Sequence, residues 1–153
     1  MSLATQIESI INTLYPAATF MFSSEINAKK EVSQNGQALP SGITYPFIVY
    51  DNYLSSTSKI KENANILSKE KIVITVLNID DRESTDSQSQ VVVDAMKVIA
   101  ERIMINIWRL DEIREEDPQF LISPVIRQWS NTLSGVVAFA NWDYNKIINW
   151  CKT

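Results

Sequence analysis

The spacing of apolar positions changes several times along the chain, and each change marks an element. The densest apolar run is Lys71-Ile72-Val73-Ile74-Thr75-Val76-Leu77-Asn78-Ile79, rich in β-branched residues. Charge bounds it on both sides, with Lys69 and Glu70 before it and Asp80, Asp81, Arg82 and Glu83 after it. That composition predicts a central strand buried on both faces. From Ser84 the period becomes helical: Val92, Ala95, Met96, Ile99, Ile103, Ile107 and Leu110 form one apolar face, so a long amphipathic helix follows the strand. Ser84 or Thr85 is placed to cap its first turn, and Asp86 adds negative charge where the exposed amides and the helix dipole favour it.

Upstream, Leu3, Ile7, Ile10, Ile11 and Leu14 share one side of a first helix, with Ser2 as its N-cap and Pro16 stopping it. Thr19–Ser23 reads as a short strand. Glu25–Gly42 then turns polar around Asn35-Gly36, a strong turn signal, and forms a hairpin tip or a mobile arm. Strand character resumes over Ile43–Tyr50, where Pro46, unable to donate to a ladder, belongs at a bulge or the strand start. Tyr53–Ser68 carries no clean period and reads as a long loop; it and the Glu25–Gly42 segment are candidates for contact with a partner. Beyond the long helix, Phe120–Trp129 and Gly135–Trp142 form a C-terminal hairpin, with Pro124 putting its first strand at a sheet edge or bulge. Tyr144–Thr153 holds Ile147, Ile148 and Trp150 in a polar frame, consistent with a final helical turn.

The order helix, strand, strand, strand, helix, strand, strand predicts an α+β domain. Its sheet is mainly antiparallel, of about five strands, with both helices packed on one face. The 153 residues fit one domain spanning 1–153. Composition narrows the chemistry more than the fold. Histidine is absent and Cys151 is the single cysteine, which leaves no set for zinc ligation, a Ser/His/Asp triad or a Cys/His pair, and no intramolecular disulfide. A formal charge of −4 with no run of Lys or Arg argues against gripping nucleic acid, although an acidic or neutral wall suits DNA that slides past. No apolar run reaches the roughly 20 residues needed to span a bilayer, and no secretory leader is evident at the N-terminus, so a cytoplasmic setting is expected.

Two features bear on function. Asp80, Asp81, Glu83 and Asp86 lie at the end of the buried strand, where carboxylates can hold magnesium for phosphoryl chemistry; the plainer reading is a solvated turn with acids at a helix N-terminus. The second is the C-terminal half of the long helix. Met104, Ile105 and Trp108 point away from Ile99, Ile103 and Ile107, leaving that half apolar nearly all round. One sheet cannot cover both sides, so either a loop of the same chain or another subunit covers Met104, Ile105 and Trp108. Four tryptophans, Trp108, Trp129, Trp142 and Trp150, lie in the C-terminal half, and at least two are expected in the core. No phosphate-binding glycine loop, catalytic set or metal motif is present, and no cofactor is expected.

The amphipathic start Leu3–Ile11, the run Tyr45-Pro46-Phe47-Ile48-Val49-Tyr50, Lys71–Val76 leading into the long helix, and Ser130-Asn131-Thr132-Leu133-Ser134-Gly135-Val136-Val137 follow one another in an order that spans most of the chain. This layout resembles the tail terminator or tail-completion proteins of long-tailed bacteriophages, in the small form found in phages and prophages of Bacteroidetes-type hosts. The resemblance is one of architecture rather than of a specific motif. It implies a structural protein of the virion tail, assembled in the host cytoplasm: a homo-oligomeric ring, typically of six subunits, that caps the tail tube and joins it to neck or head-completion proteins. DNA passes through without specific binding, and no membrane or catalytic residue is involved. Other readings are a different tail, neck or baseplate component, or the cap of a phage-derived injection apparatus. From another class comes a metal-dependent nuclease or phosphoryl-transfer enzyme using Asp80 and Asp81.

Overall fold

The computed structural model describes residues 2–22, 44–51, 56–61, 66–80, 83–129 and 132–146. Helix α1 (Leu3–Leu14) is followed by strands β1 (Thr19–Phe22), β2 (Phe47–Tyr50), β3 (Thr57–Ile60) and β4 (Ile66–Ile79), helix α2 (Asp86–Trp108), and strands β5 (Leu121–Ile126) and β6 (Leu133–Lys146). The fold is α+β, with a mainly antiparallel six-stranded sheet ordered β1-β2-β4-β6-β5 and β3 paired to β4. Ser2 caps α1, its side chain accepting from the Thr5 N–H. The cap of α2 falls on Thr85: its Oγ1 accepts from the Gln88 N–H while Gln88 Oε1 accepts from the Thr85 N–H, a reciprocal capping box with Asp86 in the first turn.

The spine is the antiparallel ladder between β4 and β6, which runs without interruption from Ile66↔Lys146 to Ile79↔Leu133. Fourteen residues of extended chain cover roughly 45 Å. Each half has its own neighbours. Along the Ile79 half, β2 lies on one side of the spine and β5 on the other; along the Ile66 half, β3 and a single bridge, Ile113↔Tyr144, take those places. Both β2 and β3 pair with the same edge of β4, at Tyr50↔Ile74 and Thr57↔Lys69. The Tyr53–Ser68 stretch, read from sequence as a long loop, therefore contains β3 and the start of β4. Its period is hidden because all four β3 residues are exposed and β4 begins Ile66-Leu67-Ser68, half-buried, half-buried and buried, with no apolar–polar alternation.

A second correction concerns direction. β1 and β2 pair in parallel, Thr19↔Phe47 through Phe22↔Tyr50, instead of antiparallel as consecutive strands usually do. Pro46 sits just before β2, after a cis Tyr45–Pro46 peptide, and its carbonyl accepts from the Thr19 N–H at 3.2 Å. Pro124 lies in β5, the outermost strand, where a missing N–H is tolerated. The C-terminal hairpin is present but longer than expected: Tyr144 belongs to β6 rather than to a helical turn. Residues 147–153 and the Glu25–Gly42 arm lie outside the described residues.

Both helices pack on one face of the sheet. There Leu3, Ile7 and Ile11 of α1 and Val93, Met96, Ala100, Ile103, Met104 and Ile107 of α2 meet Ile48, Ile72, Ile74, Val76, Val136, Ala138, Ala140 and Trp142. Gln6 Nε2 also donates to Glu112 Oε1 at 3.1 Å, joining α1 to the segment after α2. The opposite face carries a smaller cluster, Phe47, Val49, Leu77, Val125, Trp129 and Leu133. Gly135 pairs with Leu77 at this level, and a Cβ there would collide with the Val76 carbonyl oxygen and the Leu77 backbone. Only glycine allows the two central strands to approach this closely.

Candidate functional site

The acidic group after β4 divides. Asp80 is buried rather than solvated, at 1% exposure, while Glu83 and Asp86 are exposed and Asp81 lies outside the described residues. Ser134 Oγ donates to Asp80 Oδ2 at 2.6 Å, Ser89 Oγ donates to the same oxygen at 2.7 Å, and Arg127 Nε stands 3.5 Å away. Arg127 Nη2 in turn donates to the Ser84 carbonyl at 2.9 Å and to Ser89 Oγ at 3.2 Å. The Asp80 N–H donates to the Thr132 carbonyl at 2.7 Å.

These residues come from the end of β4, the start and first turn of α2, the β5–β6 connection and the start of β6. Burial alone pushes the Asp80 carboxyl up, but hydrogen bonds from Ser134, Ser89 and Ser84 and the charge of Arg127 outweigh it and hold the group below its ordinary value. Arg127 adopts a left-handed backbone, φ 52°, which a residue with a Cβ takes at a cost of about 1 kcal/mol. Its N–H offsets that cost by donating to the Leu133 carbonyl at 3.0 Å and Ser134 Oγ at 3.2 Å. The arrangement is a buried clamp in which Asp80 Oδ2 already receives two hydroxyl donors and a guanidinium. Among the described residues no group of three or more His, Cys, Asp or Glu side chains is placed to hold a metal ion.

The outer face of α2 is the other site read from sequence. The three residues proposed there separate: Met104 is fully buried, whereas Ile105 and Trp108 are 42% and 39% exposed. Met104 belongs to the chain's own core because the buried face of α2 is Ser89, Val93, Met96, Ala100, Ile103, Met104 and Ile107, rotated from the one drawn through Val92, Ala95 and Ile99. Ile105 and Trp108 are joined instead by Val91 and Val98, both about two-thirds exposed. Val91, Val98 and Ile105 recur every seven residues, so they lie almost one above another along the crown of the helix, opposite Met96 and Ile103. That spacing was legible in the sequence, but an apolar count credits valines to the core and overlooks Ser89 and Ala100, which are actually there. Trp108 is held in place by its own chain, its Nε1–H donating to the Glu115 carbonyl at 3.1 Å. Of the other tryptophans, Trp129 and Trp142 are buried, as expected of at least two, and Trp150 lies outside the described residues.

A hollow of about 160 Å³ lies on the sheet face opposite the helices, bordered by Trp129, Val49, Val73, Thr75 and Val137. Val125, Asp51 and Gln128 complete its border, so the walls combine four valines and a tryptophan with one carboxylate, one amide and one hydroxyl. No helix among the described residues is long and apolar enough to cross a membrane. No family model and no curated protein sequence matches the chain.

Proposed function

We propose that this chain is a structural subunit of a bacteriophage tail, a tail terminator or tail-completion protein that forms a ring at the head-proximal end of the tail tube. The observation that carries the reading is the outer face of α2. Val91, Val98, Ile105 and Trp108 expose apolar surface along the longest helix of a domain whose own core is already filled on the other side of that helix. Such a stripe is stabilised by burial against another protein surface. The ordered resemblance of the chain from Leu3–Ile11 to Ser130–Val137 supplies the setting, with tube and neck proteins as further partners and DNA passing through the lumen.

The competing reading is metal-dependent phosphoryl transfer by the acids after β4. It is disfavoured by Asp80, whose Oδ2 is engaged by Ser89, Ser134 and Arg127 and whose exposure is 1%. Electron microscopy of the purified full chain tests the two readings directly. Rings with an open lumen, and a lower mass in light scattering for Ile105→Glu and Trp108→Glu, are the expected result. A compact monomer that cleaves DNA overturns it.

A further inference from the structure

The charges beside the crown of α2 are sorted. Seen down the helix, Asp94 and Glu101 lie on one flank of the Val91–Val98–Ile105 line together with Trp108, while Arg102 and Arg109 lie on the other together with Ala95. Asp94, Arg102, Arg109, Ala95 and Trp108 are all exposed, and Glu101 is half-exposed. The acidic flank is partly neutralised by Lys97, whose Nζ stands 4.0 Å from Glu101 Oε1, and Gln90 Nε2 donates to Asp94 Oδ1 at 2.8 Å. The basic flank carries no acid of α2.

We infer that α2 docks against α2 of a second copy of this chain in parallel and head-to-tail, with the Asp94/Glu101 flank of one copy against the Arg102/Arg109 flank of the next. The sorting of charge decides the orientation. When two helices pack antiparallel about a two-fold axis, each flank meets its own equivalent, which sets Asp94 and Glu101 against Glu101 and Asp94 if the axis crosses between them, or Arg102 against Arg109 if it crosses between the arginines. When they run parallel, opposite flanks meet at equal height, bringing Glu101 level with Arg102 and Trp108 level with Arg109 of the neighbour. One opposite-charge pair, Glu101 with Arg102, then forms at the centre of the contact, an arginine reaches the indole face, and Asp94 lies level with the small Ala95.

A parallel contact made through one flank of each copy leaves the other flank free, so it propagates until a rotation closes it, whereas a parallel pair packed crown to crown uses both flanks and stops at a dimer. This inference rests on the ring reading and adds to it the surface, the polarity and the residues by which neighbours meet.

Charge reversal tests it on the full chain, with circular dichroism to verify folding. Asp94→Lys with Glu101→Lys, and separately Arg102→Glu with Arg109→Glu, should each weaken self-association by at least about a hundredfold, because like charges then face one another at every contact. Mixing the two variants in equal amounts should restore particles of wild-type mass, since flanks that are both basic in one variant meet flanks both acidic in the other. If either substitution prevents folding, the neutral pairs Asp94→Asn with Glu101→Gln and Arg102→Gln with Arg109→Gln replace it. These should loosen the assembly and flatten its dependence on salt. Rings that persist unchanged in the reversed or neutral variants overturn the inference and leave the ring reading standing. A wild-type chain that stays monomeric overturns both.

Discussion

Ser134 Oγ stands 2.6 Å from Asp80 Oδ2 although the two residues are 54 positions apart. The contact joins the end of β4 to the start of β6 where their long ladder closes at Ile79↔Leu133. Ser89 brings the first turn of α2 to the same oxygen, so one carboxylate ties the central strands to the helix that covers them. The buried anion is stabilised at Oδ2 by these donors and Arg127, while its Oδ1 is buried without a hydrogen-bond partner among the described residues.

Removing that anion should therefore destabilise the fold. Asp80→Ala leaves Ser89, Ser134 and Arg127 without their shared acceptor, and a loss of about 3 kcal/mol is expected in denaturant unfolding. Asp80→Asn supplies the pH signature. The folded carboxyl lies below its ordinary 3.8, so its contribution is fully present above that pH and is lost as the pH falls through the lower folded value. The gap in stability between wild type and Asp80→Asn should be constant at neutral pH and narrow only below about pH 4.

Gly135→Ala should be costly for a different reason. The new methyl group would strike the Val76 carbonyl and the Leu77 backbone, in a strand pair that has neighbours on both outer edges and little room to part. A loss of about 3 kcal/mol, read as a fall in thermal midpoint, is expected. Unchanged stability would mean that β4 and β6 separate more easily at Leu77↔Gly135 than their continuous ladder implies.

The elements visible in the sequence were those whose determinants are local. Lys71–Ile79 is dense in β-branched residues, and Thr85, Asp86 and Gln88 mark the start of α2 without reference to anything distant. Ser2 and the Leu3, Ile7 and Ile11 spacing likewise define α1. What escaped depends on partners far along the chain. β3 is legible only beside β4, because Thr57–Ile60 are exposed on both faces and gain their order from backbone pairing. The parallel β1–β2 pair joins segments separated by a long stretch of sequence. The role of Asp80 likewise depends on Arg127 and Ser134, which no spacing rule connects to it. At the outer helix face the sequence signal was present but displaced by one position: Ile105 and Trp108 are exposed as read, while Met104 turns inward.

Tyr50 should be a late-ionising phenol. It sits at the end of β2 against Phe22, with ring centroids 5.9 Å apart, and is pushed up to about 12 by burial first and then by the charges of Glu70 and Asp51. In the unfolded chain the same group ionises near 10. The folded state thus holds the proton more tightly, and the stability this provides is complete below pH 10 and lost as the pH rises toward about 12. Burial also pushes the Tyr45 and Tyr144 phenols up, so ultraviolet titration should show a late phenolate rise whose last component is missing in Tyr50→Phe. Glu70→Gln should move that signal to lower pH, because one of the two charges opposing ionisation is gone.

Adjacent residues of α2 should respond in opposite ways to truncation. Met104 is fully buried among the helices and the sheet, so Met104→Ala opens a cavity in the core and should cost about 2–5 kcal/mol in unfolding of the single chain. Ile105, 42% exposed on the crown, has little of the chain's own core to lose, and Ile105→Ala should change that stability by less than about 1 kcal/mol. Assembly should reverse the ranking. If neighbouring copies meet along this crown, Ile105→Ala weakens self-association while unfolding of the isolated chain is nearly unchanged. Parallel measurements of denaturant midpoint and concentration-dependent mass separate the two effects. Loss of folding stability at Ile105 as large as at Met104 would place both residues in the core and remove Ile105 from the contact between copies.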